Sequence, residues 1–278
     1  MTRKLIIARL SSCRHRGLLT AALVAVSAAS AYAQWKEEEA STTGELPPAQ
    51  QLLDSVIASL PATPLKVTAE LQAKAPDGST ARKLNVEMRL KWRGDKASAQ
   101  YTIRDAFGDN REGLNISWDA AGKRSYRYFQ GDTLVATAMT NLYELIEGTD
   151  ISWMDLSLSF LWWPNGRTVG REIVKGRTCY AVDVPAPAGE TGLYAGVRIW
   201  IDPQIRILLR AQAFDRETQP IRQLDVKSFK KIKDVWVIQD IDVTSLPSQH
   251  RTSLRVRQAE ILDAQLKPTG DKIEPAKP

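Results

Sequence analysis

Apolar and polar residues alternate with period two through most of the chain. Leu84, Val86, Met88, Leu90 and Trp92 interleave with Asn85, Glu87, Arg89 and Lys91, the pattern of a strand with one buried face. Val67, Ala69, Leu71 and Ala73 repeat it just upstream, and the Asp77-Gly78 pair between the two runs is a hairpin signal. Further strands are predicted over 99–103, 114–118, 125–129, 168–174, 178–184, 193–201, 205–214, 221–229, 235–243 and 254–261.

Two segments depart from this period. Pro48 stands at a helix start, and Leu52, Leu53, Val56, Ile57 and Leu60 make an apolar stripe that ends at Pro61. The second segment, residues 148–164, reads GTDISWMDLSLSFLWWP. Ser152 and Asp155 have the spacing of a capping box, which predicts a helix from about Trp153 that Pro164 stops. Trp153, Leu156, Phe160 and Trp163 fall on one side of it, Met154, Leu158, Leu161 and Trp162 cover most of the rest, and only Asp155, Ser157 and Ser159 are polar. A helix apolar almost all round must be enclosed, by a core or by a core plus a bound apolar ligand.

Together these elements predict a mainly β, α+β fold: one large, curved antiparallel sheet forming an unclosed barrel, with helices as a lid over a hydrophobic cavity. The interior is expected to be lined by Val86, Met88, Leu90, Trp92, Tyr101, Trp118, Tyr126 and Tyr128, and by Trp153, Leu156, Phe160, Leu161 and Trp163 of the lid. Such a barrel either fills itself with side chains or holds one ligand, and the pattern alone leaves both open. The number of aromatics near the lid is what points to a ligand.

The ends change the charge picture. Residues 1–33 hold Arg3, Lys4, Arg9, Arg14 and Arg16 without an acid, then an apolar run over 18–31, then Ala31-Tyr32-Ala33. That is the layout of a cleaved signal peptide, and its apolar run is short of the ~20 residues of a spanning helix. A periplasmic location follows. Residues 34–47 are expected to be a disordered acidic segment, 48–266 the folded lipid-binding domain and 267–278 a disordered tail. The full chain carries 38 Lys+Arg against 32 Asp+Glu; without the five leader bases the balance is 33 to 32. The high pI therefore leaves with the leader, and nucleic acid is not an expected partner. Lys227, Lys230, Lys231 and Lys233 cluster locally and read as a solvated turn.

Catalytic sets are hard to assemble. Downstream of the leader the only histidine is His250 and the only cysteine Cys179, which excludes a His/Cys metal set, and no cofactor is implied. The chain has no G-x-S-x-G, dinucleotide or P-loop motif. Asp240 and Asp242 share a strand face in the manner of paired catalytic acids, but Arg255, Arg257 and Lys227 are available as cross-strand partners.

One resemblance gathers these observations. The segments GTDISWMDLSLSFLWWPN, Gly176-Arg177-Thr178-Cys179-Tyr180, Tyr194-Ala195-Gly196-Val197-Arg198-Ile199-Trp200-Ile201-Asp202 and Lys233-Asp234-Val235-Trp236 resemble the outer-membrane lipoprotein-sorting protein family. These are relatives of the periplasmic lipoprotein carrier LolA and its acceptor LolB. The resemblance implies an acyl-binding cavity in an unclosed barrel, and as partners lipid or lipoprotein acyl chains, an inner-membrane exporter and an outer-membrane acceptor. It also implies a lid latch at Arg93, which matches an arginine of the carrier in position, although the proline that follows it there is Gly94 here. The reading is thus a non-catalytic periplasmic carrier of acyl chains toward the outer membrane. The alternatives are a lipid-sensing regulatory module of the same fold and, third, a lipid hydrolase.

Overall fold

A computed structural model describes residues 45–94, 96–119, 122–137, 141–189, 192–232 and 235–262, all within the compact unit Ser41–Pro278. The expected leader over 1–33, the acidic segment up to residue 44 and the tail over 267–278 lie outside these residues. The chain opens with helix α1 (Ala49–Ser59) and continues through β1 (Leu65–Lys74), β2 (Thr80–Lys91), β3 (Ser98–Arg104), β4 (Asn110–Trp118), β5 (Arg124–Gln130) and β6 (Val135–Thr137). After the lid segment come β7 (Arg167–Val174), β8 (Arg177–Pro185), β9 (Gly196–Asp202), β10 (Ile207–Phe214), β11 (Pro220–Ile232), β12 (Val235–Ser245) and β13 (Arg251–Ile261).

These thirteen strands form one antiparallel sheet in the order β6-β5-β4-β3-β2-β1-β13-β12-β11-β10-β9-β8-β7. It is two meanders joined by a seam between the first and last strands, where Leu71 faces Leu254 and Leu65 faces Ile261. Strands β6 and β7 end the two meanders and do not pair with each other, so the barrel is unclosed. Between them the chain must cross from one edge to the other, and it does so over the inner face of the sheet. That crossing is the lid.

The alternation predicts the faces correctly. Leu84, Val86, Met88 and Leu90 of β2 are buried on the inner face, and Asp77 fixes the β1–β2 turn by accepting the Ser79 N–H at 2.8 Å beside Gly78 at φ 84°. Leu52, Leu53 and Val56 of α1 are buried in the same core. Gly166 sits where α1 approaches most closely, since a Cβ there would come within 3.2 Å of Leu53. Two differences from the periodicity stand out. Strand β6 is three residues long and exposed, too short to register as a pattern. Strand β9 begins at Gly196 rather than at 193, because Tyr194 is drawn to the lid.

The outer face carries a charge ladder. Glu70 binds Lys83 at 3.0 Å and Arg257 at 3.3 Å. Asp242 accepts from Arg255 at 2.8 Å and from Ser253 at 2.6 Å, and Asp240 lies 3.7 Å from Arg255. The two aspartates are therefore engaged by cations rather than free as an acid pair. Burial opposes ionisation of Asp242, but the bonds from Ser253 and Arg255 outweigh it and hold the carboxyl below its ordinary value. Glu70 is lowered in the same way, with burial outweighed by Gln72, Lys83 and Arg257. Groups depressed in the fold contribute stability above their unfolded pKa and lose it as pH falls through the folded one. The melting temperature is thus expected to be level down to about pH 5 and to fall steadily below about pH 4, as followed by circular dichroism. A flat profile to about pH 3 would show that the ladder contributes nothing.

Cys179 belongs to a second, smaller cluster with Val174, Ala181, Trp200, Ile207 and Leu209. Burial pushes its thiol up to about 11, which removes the thiolate a nucleophile needs.

Candidate functional site

The lid begins as a tight hairpin in which Leu145 bridges Ser152 and the Ile146 N–H donates to Ile151 O at 2.9 Å. Ser152 then caps helix α2 (Trp153–Ser157) as its spacing predicts. The Asp155 N–H donates to Ser152 Oγ at 3.2 Å, while the Ser152 N–H donates to Asp155 Oδ2 at 3.0 Å. The predicted continuous helix to Pro164 does not form. Leu158 takes the left-handed conformation at φ 52°, and a 3-10 turn (Ser159–Trp162) follows. This conformation costs a leucine on the order of 1 kcal/mol. The break turns the second half of the lid so that Phe160, Leu161 and Trp163 are all buried alongside Trp153 and Met154.

The three polar residues of the lid are buried too, and each has partners. Ser157 Oγ donates to the Trp153 carbonyl at 2.6 Å and lies 2.6 Å from Ser159 Oγ. Asp155 is the centre of a network that the sequence reading missed. Arg222 Nη1 of β11 donates to Asp155 Oδ2 at 2.8 Å and to Tyr194 OH at 3.1 Å, and Tyr194 OH donates to Asp155 Oδ1 at 2.8 Å. Burial, and then the charge of Asp155, push the Tyr194 hydroxyl well above the usual tyrosine range, so it remains a donor. Burial works against the Arg222 charge, but Asp155 and Tyr194 outweigh it. Tyr143 packs edge-on against Tyr194 at 5.0 Å, and Gly192 has no room for a Cβ against the Tyr143 ring. The lid is tied at other points as well: the Asp150 N–H donates to Thr252 Oγ1 at 2.8 Å, Arg124 Nη1 to the Ser159 carbonyl at 3.0 Å, and Arg111 Nε to Glu147 at 2.9 Å.

Beneath the lid is an apolar cavity of about 100 Å³. Met88, Leu90, Trp92, Tyr101, Leu156 and Leu161 line it, as six of the expected residues should, together with Val56 and Leu60 of α1, Leu65 and Val67 of β1, and Val237 and Ile241 of β12. The other seven expected residues lie elsewhere, Val86 among them as part of the packed core. Trp153 is fully buried between the edges of Tyr101 at 6.4 Å and Tyr128 at 6.1 Å. Tyr128 also donates its hydroxyl to Glu112 at 2.6 Å, and Phe160 is closed into the core. Trp118 packs on Trp162 at 5.6 Å, and Tyr126 and Trp163 border a separate, more polar cleft. The reason is the break at Leu158, which presents Leu156, Leu158 and Leu161 to the cavity and turns the aromatics into the wall behind it.

Arg93 stands at the cavity's edge, where its Nε donates to the Leu60 carbonyl just beyond α1 at 2.9 Å. On the other side Ser59 Oγ donates to the Arg206 carbonyl at 2.9 Å. The Tyr101 hydroxyl and the Trp92 indole N–H are buried without a hydrogen-bond partner among the described residues. His250 is exposed in the β12–β13 turn, away from all of these.

No curated protein matches the chain. A family model described as "Uncharacterized protein" matches residues 131–267, which span the lid and β7–β13. Among solved structures, a DUF1329 family protein from Desulfovibrio piger is similar over 79% of this chain and 93% of that one, at 14% identity and a TM-score of 0.66. An outer membrane lipoprotein-sorting protein domain from Vibrio parahaemolyticus is similar over 79% and 94%, also at 14% identity, with a TM-score of 0.65. A LolA superfamily protein from Nitrosomonas europaea follows at 14% identity and a TM-score of 0.61, over 78% and 95%. At these identities the likeness establishes the fold, and it is the one the resemblance implied.

Proposed function

We propose that the protein is a non-catalytic periplasmic carrier that takes up lipid acyl chains, or the acyl groups of lipoproteins, for transfer toward the outer membrane. The observation that supports this reading best is the apolar cavity under a lid whose polar side chains are already engaged with protein partners. Export by the leader over residues 1–33 and the fold shared with a lipoprotein-sorting domain are consistent with it. An exporter in the inner membrane and an acceptor at the outer membrane are the partners such transfer needs. Met88, Leu90, Trp92, Tyr101, Leu156 and Leu161 are the acyl wall in this reading. Trp118, Tyr126 and Tyr128, with Trp153, Phe160 and Trp163 of the lid itself, form the support behind that wall.

A cavity of about 100 Å³ is well below the ~300–1,000 Å³ of ligand pockets, so loading requires an element to move. The lid is held by a buried ion pair and several hydrogen bonds, whereas the end of α1 is held by the Arg93–Leu60 and Ser59–Arg206 contacts. The end of α1 is therefore the gate, and Arg93 its latch.

Two measurements test this. Mass spectrometry of an organic extract of the protein purified from its own host is expected to find a stoichiometric phospholipid or acylated peptide. Each added CH₂ that enters the cavity contributes about 0.8 kcal/mol, so affinity for a fatty-acyl series should climb about fourfold per methylene until the cavity is full. An empty extract together with affinity independent of chain length would sink the proposal.

A further inference from the structure

The cavity meets solvent at one end of the sheet. Leu60 and Pro61 follow α1, Trp92 follows β2, Arg206 ends the β9–β10 turn and Trp236 opens β12, and all five line the cavity. Because neighbouring strands are antiparallel throughout, the turns after β2, β9 and β11 lie at that same end. Ser59, Leu60, Trp92 and Trp236 stay partly exposed there, and Arg206 is exposed.

The charge at this end is lopsided. Residues 60–64, 92–97, 203–206 and 230–236 hold six bases, Arg93, Lys96, Arg206, Lys230, Lys231 and Lys233, against two acids, Asp95 and Asp234; Lys233 and both acids are outside the described residues. Lys230 pairs across the strands with Val237 and Lys231 with Trp236, and both of those partners line the cavity. On the outer face, Arg177, Arg210 and Arg255 each meet a carboxylate. At the mouth, among the described residues, Arg93, Lys96, Arg206 and Lys230 form no ion pair. Four cations with no ion pair among the described residues, at the opening of a low-dielectric cavity, focus a positive field where a bound amphiphile leaves its head.

On the acyl-carrier reading above, we infer that the mouth selects an anionic head group, so that the carried molecule is an amphiphile with a net negative phosphate or carboxylate at the end that stays outside. The acyl chain supplies affinity through burial, and the head supplies the choice among chains of equal length. Arg206 and Lys230 carry this selection most directly, being charged side chains at the rim with no role in holding α1 through their own side chains.

The test is a titration with lysophosphatidylglycerol and lysophosphatidylcholine of the same chain length, both below their micelle concentrations, with glycerol 3-phosphate as the head without a chain. The wild type is expected to bind the anionic lysolipid about tenfold more tightly than the zwitterionic one, with the preference shrinking as salt approaches about 0.5 M. In Arg206→Gln/Lys230→Gln the ratio should fall toward one, and in the charge-keeping Arg206→Lys/Lys230→Arg it should persist. Equal affinity for the two lysolipids, with the chain-length dependence intact, would overturn the head-group inference and leave the acyl reading standing. Binding of neither lysolipid would remove both. Glycerol 3-phosphate binding as tightly as the anionic lysolipid would also overturn it, by showing a phosphate site indifferent to the chain.

Discussion

Removing the Arg222 guanidinium is expected to destabilise the protein by about 3–5 kcal/mol, because the Asp155 carboxylate would be left buried and uncompensated. The pair is well enclosed, with side-chain exposures of 10% for Arg222 and 5% for Asp155, so solvent cannot screen the loss. Arg222→Ala and Asp155→Ala should each produce most of this effect, and the double variant should cost much less than their sum, since the two act as one unit. Tyr194→Phe keeps the ring and deletes one donor, so a smaller loss of about 1–2 kcal/mol is expected. Urea unfolding of the four variants gives the answer. A loss under about 1 kcal/mol in Arg222→Ala would mean that the network is wet and that the lid is held by its apolar contacts alone.

Truncating the buried aromatics of the lid should cost as much. Trp153 is fully buried and Phe160 nearly so, and Trp153→Ala or Phe160→Ala is expected to lower stability by about 3–5 kcal/mol through lost transfer energy and an unfilled cavity. Leu156 is only partly buried and lines the existing cavity, so Leu156→Ala should cost less than half as much and act on acyl affinity instead. Chemical denaturation beside a fatty-acid titration separates the two classes. If Phe160→Ala kept full stability and lost lipid binding, the division between wall and support would be reversed.

Much of this architecture is legible in the chain, and the parts that are not share a cause. Alternation over Leu84–Leu90 specifies the inner face because side chains in a strand have only two directions to point. The Ser152–Asp155 spacing specifies the cap because the capping box is local. What escapes is whatever depends on residues far apart in sequence. Arg222 looks like one more polar position in an alternating strand, and nothing near it reveals that Asp155 is its partner. Asp155 itself is fully accounted for as a cap, which hides its second role. The left-handed turn at Leu158 has no signature, since leucine is not a residue that favours it. It is also what decides which aromatics face the cavity. The rim is only half legible for a different reason: Lys230 and Lys231 stand out as a cluster, but Arg93, Lys96 and Arg206 come from separate turns that only the strand order brings to the same end.

The seam between β1 and β13 bears on how the molecule is made. Each meander can be assembled from hairpins between neighbours, which close short loops and form quickly. The pairing of Leu65 with Ile261 and of Lys74 with Arg251 joins opposite ends of the domain, and contacts of such separation slow folding because their loop entropy must be met before they reward it. Until the last strand has emerged, β1 presents an unpaired edge and the inner face has nothing to curl it shut. On this strand order the two meanders share one continuous sheet, and so one interior, only through the pairing of β1 with β13.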